Sequence, residues 1–160
     1  MKKLLLLTSI LAISAGSAFA SGTHSGGHDD MMKVGKPGDA SKVDRTIEVT
    51  MKETDDGDML FEPSMLDIKK DETIKFVIKN AGELEHEFVL DDQESNMKHK
   101  EAMAKAPEME HDNPNAIRLV EGTDGEIIWT FANSGAFEFA CLIPGHYEAG
   151  MRGDISVAGN

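Results

Sequence analysis

The run Gly135-Ala136-Phe137-Glu138-Phe139-Ala140-Cys141-Leu142-Ile143-Pro144-Gly145-His146-Tyr147-Glu148-Ala149-Gly150-Met151 sets an alternating strand directly against a turn-rich loop. Side chains alternate faces along a strand, so Phe137, Phe139 and Cys141 share the inward side, and the thiol stands at the strand's end. Cys141, His146 and Met151 follow one another with four residues between each pair, a spacing that predicts one loop presenting all three. Pro144 fixes one φ, and Gly145 permits the tight turn that returns His146 toward Cys141. Upstream, His86, Phe88 and Leu90 share a strand face in the same way. A thiolate, two imidazoles and a weak thioether are the donor set of a trigonal copper site with a long axial bond, which suits both Cu(I) and Cu(II). His86, Cys141, His146 and Met151 are therefore the predicted ligands of one copper ion. Singly, each has a plainer reading: a surface strand histidine, an inert buried thiol, a loop histidine and a core methionine. Their combination around the only cysteine favours the metal.

Working outward, the strand pattern recurs. Ile47/Val49/Met51, Leu66/Ile68, Ile74/Phe76/Ile78, Ile127/Trp129/Phe131 and Ile155/Val157 alternate with polar residues. Turn chemistry separates them at Asp55-Asp56-Gly57-Asp58, Asn80-Ala81-Gly82, Thr123-Asp124-Gly125 and Asn133-Ser134-Gly135. The pattern predicts an all-β fold, a two-sheet antiparallel Greek-key sandwich, with Trp129 and the phenylalanines in its core. Residues 91–116 form an acidic insertion in which Asn96 to Ala106 is expected to be a short helix, stopped by Pro107.

At the other end, Met1-Lys2-Lys3, an apolar stretch from Leu4 to Ile13 and Ser17-Ala18-Phe19-Ala20 read as a signal peptide over residues 1–20, which places the chain in the periplasm. Residues 21–43, rich in Gly, Ser, His, Asp and Lys, read as a mobile tail, and residues 44–160 as a single domain. No later stretch approaches the ~20 apolar residues of a spanning helix, so no membrane partner is expected. One cysteine makes no internal disulfide in an oxidising compartment and needs another occupant. Without its leader the chain carries fourteen basic against twenty-nine acidic side chains, a formal charge of −15. That balance argues against nucleic acid and points to a basic redox partner if any protein is steered to this monomer.

On these residues the chain resembles the cupredoxins, the family of plastocyanin, azurin and rusticyanin, over about residues 44–158. The resemblance rests on Phe61-Glu62-Pro63 leading into Leu66 and Ile68, on Glu72-Thr73-Ile74-Lys75-Phe76 closing on Asn80, and on His86-Glu87-Phe88. It ends with the ligand loop running into Gly153-Asp154-Ile155-Ser156-Val157, a loop most similar to the rusticyanin kind. It implies that His86, Cys141 and His146 are equatorial ligands and Met151 the axial one. It also implies that His146 lies near the surface in an apolar ring of Leu142, Pro144, Ala149 and neighbours. Glu87 stands where plastocyanins and azurins usually carry an asparagine that ties the ligand loops together; its backbone amide is still expected to reach the sulfur.

Weaker signals lie outside that set. His24, His28, Met31 and Met32 in the tail, with Met97, His99, Met103, Met109 and His111 in the insertion, gather soft and imidazole donors. They read either as weaker extra Cu(I) sites or as a solvated tail and a helix packing its methionines on the sheet. Two roles fit the whole: copper binding in tolerance or homeostasis, toward which these clusters lean, and one-electron transfer. An enzyme is disfavoured. No two of the six histidines are two apart, as a trinuclear copper cluster requires. The inward Cys141 also lacks the accessible base of a cysteine hydrolase.

Overall fold

The structure is a computed structural model that describes residues 32–106 and 113–159. Along the chain run β1 (Lys36–Pro37), a 3₁₀ turn at Ala40–Lys42, β2 (Arg45–Glu53), β3 (Met59–Glu62), β4 (Met65–Lys69), β5 (Thr73–Asn80) and β6 (His86–Asp91). Helix α1 (Gln93–Lys105) follows, then β7 (Ala116–Leu119), β8 (Asp124–Thr130), β9 (Gly135–Ala140) and β10 (Arg152–Ala158). One sheet has the order β1-β8-β5-β2-β3 and the other β4-β10-β9-β6-β7, the expected two-sheet sandwich.

Two pairs depart from the antiparallel expectation, since β2 runs parallel to β5 and β4 parallel to β10. The cause lies at Pro63 and Ser64. Only these two residues separate β3 from β4, yet the strands belong to different sheets, so the chain crosses over there. It turns back at Lys70-Asp71-Glu72, where Asp71 takes a left-handed φ of 67°, and β5 returns alongside β2 in the same direction.

The period-2 residues meet in the space between the sheets. Val49, Met51, Ile74, Phe76, Ile78, Trp129, Ile155 and Val157 are all buried in one core. Phe61 from one sheet packs edge-on to Phe139 of the other at 5.1 Å and to Phe88 at 5.9 Å, while Phe88 and Phe139 stack at 5.3 Å. Such pairs contribute about 0.5–1.5 kcal/mol each beyond area burial, and they sit directly beneath the end of the sandwich that carries Cys141 and His86.

The folded region begins earlier than residue 44. Val34 is fully buried, Lys36 and Pro37 pair with Thr130 and Trp129, and the Val34 carbonyl accepts from Trp129 Nε1 at 3.4 Å. A buried indole N–H needs an acceptor, and this segment supplies it. One apolar residue and a two-residue edge strand containing proline have no periodicity to read.

Helix α1 starts three residues before the expected Asn96, because the Asp92 carboxylate caps the amides of Glu94 and Ser95. It covers the outer face of β6 and β9, where Met103, Val89, Ala140, Leu142 and Tyr147 form a second apolar cluster. This explains why β6 is buried on both faces from His86 through Leu90. No helix among the described residues is long and apolar enough to cross a membrane.

Candidate metal centre

His86 opens β6, Cys141 directly follows β9, and Met151 directly precedes β10, so three strand ends converge on one loop. Residues 143–151 fold into a compact turn in which His146 N donates to Ile143 O, Ala149 N to Gly145 O, and Met151 N to His146 O. Gly145 takes a φ of 93°, which a side-chain-bearing residue rarely adopts, and so permits the return of His146. Cys141 N donates to Met151 O at 3.0 Å, closing the loop at its base.

The ligand atoms meet. His86 Nδ1 lies 3.2 Å from His146 Nδ1, and Cys141 Sγ lies 3.4 Å from His146 Nδ1. Among the described residues, these three form the one group of His, Cys and acidic side chains whose donor atoms all fall within 4.8 Å of one another. Separations of this size are those of ligands sharing one ion roughly 2 Å from each. His86, Cys141 and Met151 are wholly buried, whereas His146 is half-buried and forms the exposed edge. Met151 belongs to the same core cluster as Cys141.

Burial acts on the protonation of these groups. Burial pushes the Cys141 thiol up to about 12, against the opposing pull of the Glu87 and Ile143 amides. The Glu87 backbone N–H donates to Sγ at 3.3 Å, as expected from the sequence. Desolvation first, and then the neighbouring His86, hold His146 below the ordinary histidine range, leaving it neutral at neutral pH. Burial raises the Glu87 carboxyl, with Arg118 and the Leu142 amide drawing it back.

One sequence expectation needs correction, and the open reading of the insertion methionines is decided. Leu142 does not join a surface ring around His146; it is fully buried beneath α1, because the residue after Cys141 faces the helix-covered side. Pro144 is exposed and Ala149 half-buried, and Leu84 in the loop before β6 is 45% exposed. Met103 is also fully buried in the second cluster, with Met97 packed against it, so these methionines serve as core. Met32 packs partly buried on the main core. His99 is half-buried. His24, His28, Met31, Met109 and His111 lie outside the described residues.

Two residues of the site escape sequence reasoning. Glu53, the last residue of β2, places Oε1 2.6 Å from His86 Nε2. Its carboxyl is pushed up by partial burial, but the backbone amides of Glu83 and Leu84 outweigh that and hold it below the usual range. Asn80, wholly buried, donates from Nδ2 to the carbonyls of Leu84 and Leu119 and braces the loop before His86. Asn80 was legible only as a turn residue, and Glu53 gave no local signal, being thirty-three residues from its partner.

A β-sandwich with two imidazoles and a thiol gathered at one end defines the cupredoxin class. The chain belongs to the plastocyanin/azurin family of copper-binding proteins, which it matches over residues 47–158. Copper is accordingly its metal. It is similar to the copper-resistant cuproprotein CopI of Rubrivivax gelatinosus, with 46% identity over 142 residues, 89% of this chain and 82% of that protein. The Pseudomonas aeruginosa protein of the same name is 35% identical over 152 residues, covering 77% of this chain and 81% of its own. Among solved structures, dithionite-reduced auracyanin from Roseiflexus castenholzii matches with a TM-score of 0.61 and 25% identity, over 72% of this chain and 98% of that one.

Proposed function

We propose that this chain is a periplasmic copper protein of copper tolerance, holding one redox-active ion between His86, Cys141 and His146, with Met151 as the weak axial ligand. The observation that carries the site is the convergence of two Nδ1 atoms and one Sγ within 4.8 Å. The tolerance role is supported by the two relatives named copper-resistant cuproproteins. The leader-like residues 1–20 support export.

The bound copper would supply one-electron redox chemistry, and the protein's part is to hold the donors in place. Cys141 and the two histidines come from strand ends and a self-bonded turn, so little must move when the charge on the metal changes. Half-buried His146 is the edge through which an electron or a copper ion would pass. A dedicated electron carrier is the second reading, favoured by the acidic surface, with any redox partner basic and the chain a monomer.

A visible spectrum tests the site. The Cu(II) protein should show an intense thiolate-to-copper band, Cys141→Ser should abolish it, and Met151→Leu should keep copper while raising the reduction potential. Copper bound without such a band, or preference for zinc when both are offered, refutes the assignment. Loss of copper in Met151→Leu as complete as in His86→Ala would refute the axial role.

A further inference from the structure

Glu53 is built into the site more deeply than one contact suggests. Its Oε2 accepts from the Glu83 backbone N–H at 2.9 Å, and its Oε1 from the Leu84 N–H at 3.0 Å. His86 Nε2 faces the same Oε1 at 2.6 Å. The last residue of β2, in one sheet, thus reaches the loop that leads into β6 in the other. That loop is shaped around the carboxylate. A Cβ on Gly82 would lie 2.2 Å from Glu53 Oε2 and 2.7 Å from Cδ, so the carboxylate occupies the place of a side chain at residue 82. Asn80 completes the cradle, accepting from Gly82 N at 3.0 Å through Oδ1 while its Nδ2 holds Leu84 O at 2.7 Å.

An ionised carboxylate only accepts hydrogen bonds. With two amides already donating to it, the short contact to His86 requires the imidazole to donate from Nε2. A neutral imidazole with its proton on Nε2 carries its lone pair on Nδ1, the atom that faces His146. We propose that Glu53 is a positioning residue of the copper site: it fixes the His86 tautomer that turns Nδ1 to the metal, and its charge favours Cu(II) over Cu(I). The charge acts because a carboxylate accepting from a ligating imidazole makes that ring a stronger donor, and the more highly charged ion gains more from it. The Glu53 side chain is 20% exposed and His86 wholly buried, so water screens the pair only from one side.

This inference rests on His86 being a copper ligand, and two variants with two readouts keep the questions apart. Glu53→Gln removes the charge and retains one carbonyl acceptor. Gly82→Ala retains the charge and displaces it; Gly82 is not in the left-handed region, so the added methyl acts through the flexible end of Glu53. In the copper-free protein, nitrogen NMR should find His86 as the Nε2–H tautomer, with the Nδ1–H form growing to a comparable share in Gly82→Ala, where the acceptor is displaced. With copper, Glu53→Gln should lower Cu(II) affinity about 10- to 100-fold and Cu(I) affinity less. The potential then rises by about 59 mV for each tenfold change in that ratio. An unchanged tautomer in Gly82→Ala, or a Cu(II)/Cu(I) affinity ratio in Glu53→Gln within twofold of wild type, overturns the proposal. Should Glu53→Gln not fold, Gly82→Ala decides by the same two measurements. A wild-type protein without the thiolate band would refute the copper assignment, while the copper-free tautomer would still report on Glu53.

Discussion

Cys141 shows how much of the site's chemistry waits for the metal. In the copper-free fold its sulfur is wholly buried beside the Glu87 amide, and burial pushes the thiol up to about 12. The free protein at about pH 8 therefore carries a thiol, whereas a copper ligand must be the thiolate. Loading with Cu(II) should release one proton from Cys141, and apparent affinity should rise about tenfold per pH unit as long as the pH stays below the thiol's own range. The sign follows from the direction of the shift: the proton is held in the free state and absent in the bound state, so higher pH favours binding. His146, held below the ordinary histidine range, adds no proton there. Calorimetry in two buffers of different ionisation enthalpy counts the protons. Cys141→Ser should release one fewer than wild type, and equal counts would mean that the thiol is not displaced.

At the scale of elements, the insertion helix is bound to the ligand loop. Asn96, fully buried on α1, donates to Glu138 Oε1 at 3.1 Å, and Tyr147 donates to Glu138 Oε2 at 3.3 Å. Lys100 pairs with Glu148 and lies 5.1 Å over the Tyr147 ring, and Arg152 takes a similar position at 5.1 Å. The two residues after His146 are thus clamped between α1 and β10. Met103 packs beneath this clamp, so Met103→Ala should destabilise the fold by about 2–5 kcal/mol. Thermal unfolding of the copper-free protein measures it; a change within about 0.5 kcal/mol would place Met103 outside the core. The same helix shows where sequence reasoning stopped. The inward residues of β2, β4, β5, β8, β9 and β10 were legible because alternation is local, and Cys141, His146 and Met151 because they share one loop. For Met103 the sequence left both readings open, extra copper donor or packing on the sheet, because residue type does not say which helix face is covered; its packing against Leu142 and Tyr147 decides for the core. The segment before β1 escaped because its worth lies in Val34, whose carbonyl gives Trp129 an acceptor, and Glu53 because its partners at Glu83, Leu84 and His86 lie in and beside the loop that leads into the other sheet.

For the whole molecule, copper tolerance and electron transfer predict different fates for the bound ion. The structure narrows the test. Met97 and Met103 pack in the second apolar cluster and Met32 against the main core, so the test of surplus Cu(I) donors is made at His24, His28, Met31, Met109 and His111. Thioethers and imidazoles suit Cu(I). A variant without residues 21–31 and with Met109 and His111 replaced should therefore keep the fold and the thiolate-to-copper band of the main site. If tolerance is the role, it should bind fewer Cu(I) ions than the unaltered protein and protect cells less against added copper. An electron carrier predicts a different set of results. Both versions would then bind one copper and confer equal tolerance. Reduction by a basic redox protein would be fast at low salt and slow steeply as ionic strength rises, because a chain of −13 formal charge steers such a partner over a Debye length of about 10 Å at 0.1 M salt. Copper stoichiometry, survival and the salt dependence of reduction, measured on the same two proteins, decide between the roles, and equal tolerance together with steep salt dependence would sink the tolerance reading.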